Sequence, residues 1–356
     1  MERLLSAPGK LFVSGEYAVL WGGVARVLAV GPRANALVAR RSDRRVELHL
    51  DGGRLTGRST PLGVNWDEPV TRPFHFVSRT VDLALRSLSR EVSGFSVAFA
   101  PSPGIDGHKP GLGSSARACV LAAEAVRWVT EAGIDALKLA LLAHAEAQAG
   151  KGSGGDVAAS FAGGLVRYRR YEVAGLIEAA KKNVLTSALR QAPPVDVARV
   201  NAPRFPCVYA FSGQSASTTS LVRQIEATWN DARRAAFVEQ SDGLGEALEL
   251  ALLKGDFEQT REACEALQDL LFSLGPTRAE SLERIVALAR AAGCTGKQSG
   301  AGGGDGCLLF APDETTAKAL IEALAERGFA AFRVSPEPGL RGEPGPDPTL
   351  AGWLEG

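Results

Sequence analysis

The chain has 356 residues, 45% hydrophobic and 22% charged, enough for roughly two domains of ~150 residues with ordinary cores. The 40 Lys+Arg balance the 40 Asp+Glu, which argues against nucleic acid or an anionic membrane as the main partner and leaves a small anionic ligand open. Five widely spaced cysteines without a CxxC pair argue against a zinc cluster or a disulfide framework and for reduced thiols.

The start, MERLLSAPGKLF, lacks the apolar core of a signal peptide, and no uncharged apolar run approaches the ~18 residues of a membrane span. A cytoplasmic protein is expected. Short strands are predicted at Arg3–Ser6, Phe12–Val13, Val24–Val30, Ala36–Ala39 and Val46–Leu50. Pro73–Leu88 has helical spacing in Phe74, Val77, Val81, Ala84 and Leu88, and Phe95–Phe99 reads as a strand. GHKPGLGSSA then leads into an Ala-rich helix ending near Gly133, and Asp135 is placed to cap a helix carrying Leu137, Leu141, His144 and Gln148 on one side. GKGSGGD precedes a short helix and the strand LVRYRRY. Composition shifts at QAPPVDVARVNAPR, which sets a domain boundary. Beyond it come a strand (Pro206–Phe211), the hydroxyl-rich GQSASTTS, three or four helices, the loop SGAGGGDG, a strand (Cys307–Phe310), a helix (Thr315–Arg327) and a last strand (Ala330–Val334). This interleaving predicts an α+β protein, and the Pro/Gly-rich tail PEPGLRGEPGPDP reads as a loosely held extension.

Glycine, 40 residues in all, is clustered. In PGLGSSARACVLAAEAV, Gly111 and Gly113 permit close backbone approach, and the helix behind them offers free N–H groups and a positive dipole end, which suit phosphate. Ser114 and Ser115 stand where the helix begins; either caps it, or one ligates a magnesium ion on nucleotide phosphates. The P-loop pattern is absent. Gly111-x-Gly113-x-x-Ala116 matches the dinucleotide fingerprint only formally, because no strand with a following acidic residue comes next. In AEAQAGKGSGGDVAAS, Asp156 is an N-cap or a functional carboxylate, and Glu146 a solvated charge or a second carboxylate for magnesium. KQSGAGGGDG is costly in chain entropy without a ligand or a tight crossing. Lys10, in an apolar run, is an edge lysine or a partnered functional one. Three such loops in one neutral chain point to a composite phosphate-handling site.

Taken together, APGKLFVSGEYAVL, PGLGSSA and SGAGGGDG resemble the GHMP small-molecule kinases in order and spacing, over essentially the whole chain. Within that superfamily HAEAQAGKGSGGDVAASFAGGLVRYRRY is similar to the phosphomevalonate kinase pattern, as are SGQSASTTSLVRQI and KQSGAGGGDG. Mevalonate kinases carry an NPSGVD-type loop where this chain has Gly152-Ser153-Gly154-Gly155-Asp156. Gly155 replaces an aromatic common in eukaryotic members, and Ala149 shifts Gly150-Lys151.

The resemblance implies a GHMP kinase fold, with an ATP-binding N-terminal domain containing a left-handed βαβ unit (1–195) and a ferredoxin-like C-terminal domain (196–356). It implies ATP and Mg2+ as cofactors and 5-phosphomevalonate as the acceptor. Mevalonate on the same scaffold, or an inactive GHMP-like binding protein, are the alternatives. Lys109, Gly111, Leu112, Gly113, Ser114 and Ser115 would hold ATP, with Ser115 and Glu146 on the metal. Lys10 and Asp156 would be catalytic neighbours. Lys10, Lys151, Ser153, Thr218, Thr219, Ser299, Gly300 and Ala301 would hold the acceptor.

Overall fold

The computed structural model describes residues 1–101, 110–201, 203–215, 218–343 and 347–355. The chain begins with two long antiparallel strands, β1 (Glu2–Ser14) and β2 (Val24–Arg40). Sequence reading breaks each of these into pieces at Pro8-Gly9 and Gly31-Pro32. Instead the ladder slips between Ala7 and Gly9, so the proline, which has no N–H to donate, falls in the irregularity and the strands continue. β3 (Arg45–Leu50), β4 (Gly53–Thr60) and β5 (Gly63–Trp66) form a meander followed by α1 (His75–Arg86). β6 (Phe95–Phe99) inserts antiparallel to β2 and parallel to β3.

Next come α2 (Ser114–Thr130), α3 (Ala136–Ala147), α4 (Gly155–Ala162), β7 (Leu165–Arg169), α5 (Ala174–Lys181), α6 (Leu185–Gln191) and β8 (Val197–Val200). Asp135 caps α3 as expected, accepting from the Lys138 N–H. The second part holds β9 (Cys207–Phe211), α7 (Thr218–Thr228), α8 (Asp231–Lys254), α9 (Phe257–Phe272), α10 (Glu280–Ala291), β10 (Thr295–Ser299), β11 (Gly306–Phe310), α11 (Glu314–Ala325) and β12 (Ala331–Val334). β13 (Arg341–Glu343) and α12 (Pro348–Glu355) close the chain.

Among the described residues these strands make a nine-stranded sheet, ordered β13-β1-β2-β6-β3-β4-β5 with β7 and β8 branching from β2, and a four-stranded sheet ordered β10-β11-β9-β12. The architecture is the expected mixed α+β one. Three elements beyond residue 195 nevertheless serve the first sheet: β8 pairs with β7, β13 with β1, and α12 packs on β6 through Leu350. The tail before residue 344 is also pinned rather than loose. Pro336 and Pro338 bridge to Val30 and Gly163, and the Arg33 guanidinium donates to the carbonyls of Pro338 (2.6 Å) and Gly339 (2.9 Å).

One apolar core lies between the first sheet and α1–α4, and another between the second sheet and α10–α11. A third joins the two sheets: Leu11, Val13 and Leu28 meet Tyr209, Leu308 and, from α8, Leu248 and Leu252. That shared core sets the first sheet against the second, and the glycine loops converge near it.

Candidate active site

The first glycine loop is held from both sheets. The Lys10 backbone N–H donates to the Leu112 carbonyl (3.2 Å), and the Lys10 ammonium donates to the Gly111 carbonyl (2.8 Å). From β9, the Tyr209 hydroxyl donates to the Pro110 carbonyl (2.6 Å). The Leu112 side chain is buried in the inter-sheet core, so only its backbone faces a ligand. Gly113, at φ +78°, is the N-cap of α2, and neither Ser114 nor Ser115 caps the helix. The N-terminus of this 17-residue helix keeps its donors and dipole for an anion. Lys109 lies outside the described residues.

The second loop joins α3 to α4. Gly154, at φ +81°, caps α4, which places Asp156 inside the first turn rather than at the cap position. Asp156 accepts from the Val157 N–H (2.9 Å), and its other oxygen lies 3.6 Å from His144 Nε2. The loop is anchored by the Tyr168 hydroxyl, donating to the Ser153 carbonyl (3.0 Å), and by Arg170, donating to the Gly150 carbonyl (2.6 Å). Ser153 Oγ accepts from the Gly155 N–H (3.3 Å). Glu146 does not join this group. Both its oxygens are taken by the Arg79 guanidinium (2.9 and 2.6 Å), and it does not line the cavity. The carboxylate expected to pair with Ser115 on a metal is thus engaged by Arg79 in this structure.

The third loop connects β10 to β11 and leans on the other two. The Tyr17 hydroxyl donates to the Ala301 carbonyl (2.7 Å). Burial, with the Glu16 charge beside it, pushes that hydroxyl far above its ordinary range, so it remains a donor at neutral pH. Lys297 and Glu16 form a buried ion pair, and the Lys297 ammonium also donates to the Gln298 carbonyl (2.7 Å). Ser299 Oγ is buried with no hydrogen-bond partner among the described residues, and Ser299 does not line the cavity. The loops touch closely enough to exclude side chains. A Cβ on Gly111 would sit 2.8 Å from the Asp305 carboxyl carbon, and one on Gly113 would sit 3.1 Å from Lys10 Cγ and 3.8 Å from Asp156 Cβ.

Between them lies a cavity of ≈ 330 Å³, and its walls include Lys10, Glu16, His144, Lys151, Ser153, Asp156, Gly300, Ala301 and Asp305. α7, which Thr218 and Thr219 open, contributes Val222. A larger cleft of ≈ 460 Å³ beside α6 offers Arg190 as its one charged group and no carboxylate or lysine, so its chemistry is poorer. Lys10 and Asp156 share the cavity and both abut Gly113, yet they form no ion pair within 4.0 Å among the described residues. The five cysteines are buried and free, and burial pushes the Cys119 and Cys264 thiols up to about 12, which removes them as nucleophiles.

No cluster of three His, Cys, Asp or Glu side chains able to cage a metal exists among the described residues. Magnesium does not need one, since it is commonly held by one or two carboxylates plus phosphate oxygens. Asp156 beside Gly113 and Asp305 beside Gly111 fit that requirement.

Sequence reasoning missed three contributors. Asp305 is the single charged group of its glycine loop, Tyr17 follows Glu16 directly, and His144 with Gln148 shares a helix side with the second loop. No helix is long and apolar enough to cross a membrane among the described residues.

The description "GHMP kinases N terminal domain" matches residues 76–164, and "GHMP kinases C terminal" matches residues 248–330. The phosphomevalonate kinase of Streptomyces sp. (strain CL190) is 31% identical over 92% of this chain and 92% of its own. The mevalonate kinase of Aeropyrum pernix is 29% identical over 93% of this chain and 94% of its own. The structure of Streptococcus pneumoniae phosphomevalonate kinase in complex with phosphomevalonate and AMPPNP superposes with a TM-score of 0.79 at 22% identity, covering 94% of this chain and 99% of that one. The two domain matches, the full-length relatives and the convergent loops agree that this chain belongs to the GHMP kinase family.

Proposed function

We propose that the chain transfers the terminal phosphoryl group of ATP to the phosphate of 5-phosphomevalonate, giving 5-diphosphomevalonate and ADP. The observation that carries this reading is one cavity shared by Lys10, Lys151 and Asp156 and walled by the third glycine loop, beside the uncapped start of α2. The Streptomyces relative, matched along its length, bears that name.

Phosphoryl transfer depends on positioning and charge neutralisation. The amides at Gly111–Ser115 and the α2 dipole hold the ATP phosphates, with Ser114 and Ser115 beside them. Mg2+, entering with ATP, would neutralise phosphate charge, with Ser115, Asp156 and Asp305 as its candidate oxygens. Lys10 faces the transferring group. Lys151, Ser153, Gly300 and Ala301 surround the acceptor, and Ser299 supports the third loop. The two lining lysines, Lys10 and Lys151, are outnumbered by Glu16, Asp156 and Asp305, so much of the anion affinity falls to the helix starts at Gly113 and Gly154. A phosphate monoester, with its second pKa of ~6, is already ionised at neutral pH, so Asp156 orients and balances charge rather than removing a proton.

The Aeropyrum relative favours a second reading, with mevalonate as the acceptor on the same scaffold. ADP release measured with mevalonate and 5-phosphomevalonate offered separately decides between them. Turnover with 5-phosphomevalonate alone is expected. Turnover with mevalonate alone selects the second reading, and ATP binding without turnover on either points to an inactive binding protein.

A further inference from the structure

We propose that His144 is a positioning residue that ties the nucleotide-side hydroxyl, Ser115, to the acceptor-side carboxylate, Asp156; this rests on the kinase reading above. His144 stands near the C-terminal end of α3 and is 1% exposed. Its Nε2 lies 3.1 Å from Ser115 Oγ, 3.2 Å from the Gln148 amide nitrogen and 3.6 Å from Asp156 Oδ2. Its Nδ1 is buried and has no hydrogen-bond partner among the described residues. The ring packs against Phe76, with centroids 5.5 Å apart.

These contacts decide where the ring proton sits. A proton on Nδ1 would be a buried donor with no acceptor, at a cost of about 1–3 kcal/mol. On Nε2 the proton is within hydrogen-bond distance of Ser115 Oγ, with Asp156 Oδ2 just beyond it at 3.6 Å. This tautomer goes with the Gln148 amide turned so that its oxygen meets the same N–H. Ser115 Oγ then accepts from His144, which leaves the serine's own hydrogen free to donate toward an anion at the start of α2. Ser115 belongs to the phosphate loop and Asp156 to the acceptor loop, with Gly113 close to the latter. One imidazole thus sets the distance between two groups that must align for in-line transfer, where an error of about 1 Å can slow turnover some 10²-fold.

The test compares three replacements. His144→Gln returns an amide where Nε2 stood, His144→Asn reaches only as far as Nδ1, and His144→Phe keeps the ring against Phe76 without a polar atom. We expect the Phe and Asn variants to lose kcat about 10–100-fold, the Gln variant to recover most of that loss, and melting temperature to follow no such order. Combined with Ser115→Ala, His144→Phe should add at most about threefold, because the two changes break one contact. Equal slowing by Gln and Asn, fully additive losses, or unchanged kcat in His144→Phe overturns the proposal. Failure of the unsubstituted chain to phosphorylate either acceptor is a separate result, which removes the kinase reading. In that case the dissociation constant of a non-hydrolysable ATP analogue, measured over the same Ser115–His144 cycle, decides this proposal: non-additive losses support it and additive losses overturn it.

Discussion

Under the kinase reading proposed above, Lys10 would carry the heaviest electrostatic role in the cavity. The residue is 9% exposed, and its ammonium is fixed on the Gly111 carbonyl with Phe12 beneath it, the ring centroid 5.5 Å away. Replacing it with Met keeps most of the volume and removes a preorganised charge, so kcat should fall on the order of 10²–10³-fold, far more than for Lys109→Met in the same coupled assay. Comparable losses in the two variants would place the transferred group elsewhere. Asp156→Asn should also slow turnover on the order of 10²-fold, with the deficit persisting as pH rises well above 7, because a phosphate acceptor is already ionised there. Recovery at alkaline pH would restore a base role to Asp156. Both residues were legible in the sequence, since a lysine in an apolar run and an aspartate among glycines are each costly without a purpose. His144 was not, because a single histidine on a helix side reads as core. Its meaning comes only from Ser115 and Asp156, which lie on other elements.

Elements with strong local signals were readable. Asp135 capping α3, the apolar spacing of α1 and the glycine runs each act within a few residues. β4 and β5 were not readable, because GGRLTGRSTPLG looks like a turn until β3 supplies a partner. β13 has three residues and exists only as a ladder on β1. The start of α4 gives a prediction at this scale. Gly154 is left-handed, and a Cβ there would lie 2.6 Å from the Tyr168 hydroxyl and 2.7 Å from Leu141. Gly150 has nearly the same φ, +77°, with nothing within 4 Å. Gly150→Ala should therefore cost only the left-handed penalty of about 1–2 kcal/mol. Gly154→Ala adds a contact with a fully buried tyrosine, so it should melt at a clearly lower temperature and lose activity by displacing Asp156. Equal melting temperatures for the two variants would mean that the α4 start yields without cost.

At the scale of the molecule, the cavity survives only while the first sheet and the second part of the chain stay in register, and a buried ion cluster contributes to that. Glu249 of α8, 1% exposed, accepts from Arg26 of β2 (2.7 Å) and from the Arg167 guanidinium of β7 (2.8 Å from Nε). Nearby, the Val24 N–H donates to Asp242 (2.8 Å), and Gly245 lets α8 approach Ser14 and Arg26 closely. Nothing local in DARRAAFVEQSDGLGEALELALLK announces this cluster, because its partners lie more than 80 residues away. Burial pushes the Glu249 carboxyl upward, but bonds from Arg167 and Arg26 outweigh it and hold the group below its ordinary 4.5. A carboxylate lowered on folding stabilises the protein above the unfolded value, and that contribution fades as pH falls through the lower folded value. Glu249→Ala leaves Arg26 buried without its charge partner and should cost about 3–5 kcal/mol near neutral pH. The gap in melting temperature between the two proteins should hold steady above pH 4.5 and narrow below it. The other carboxylates are common to both proteins and cancel in that gap. A gap that stays constant down to about pH 3 would show that the stability lost came from packing around α8 and not from the charge on Glu249.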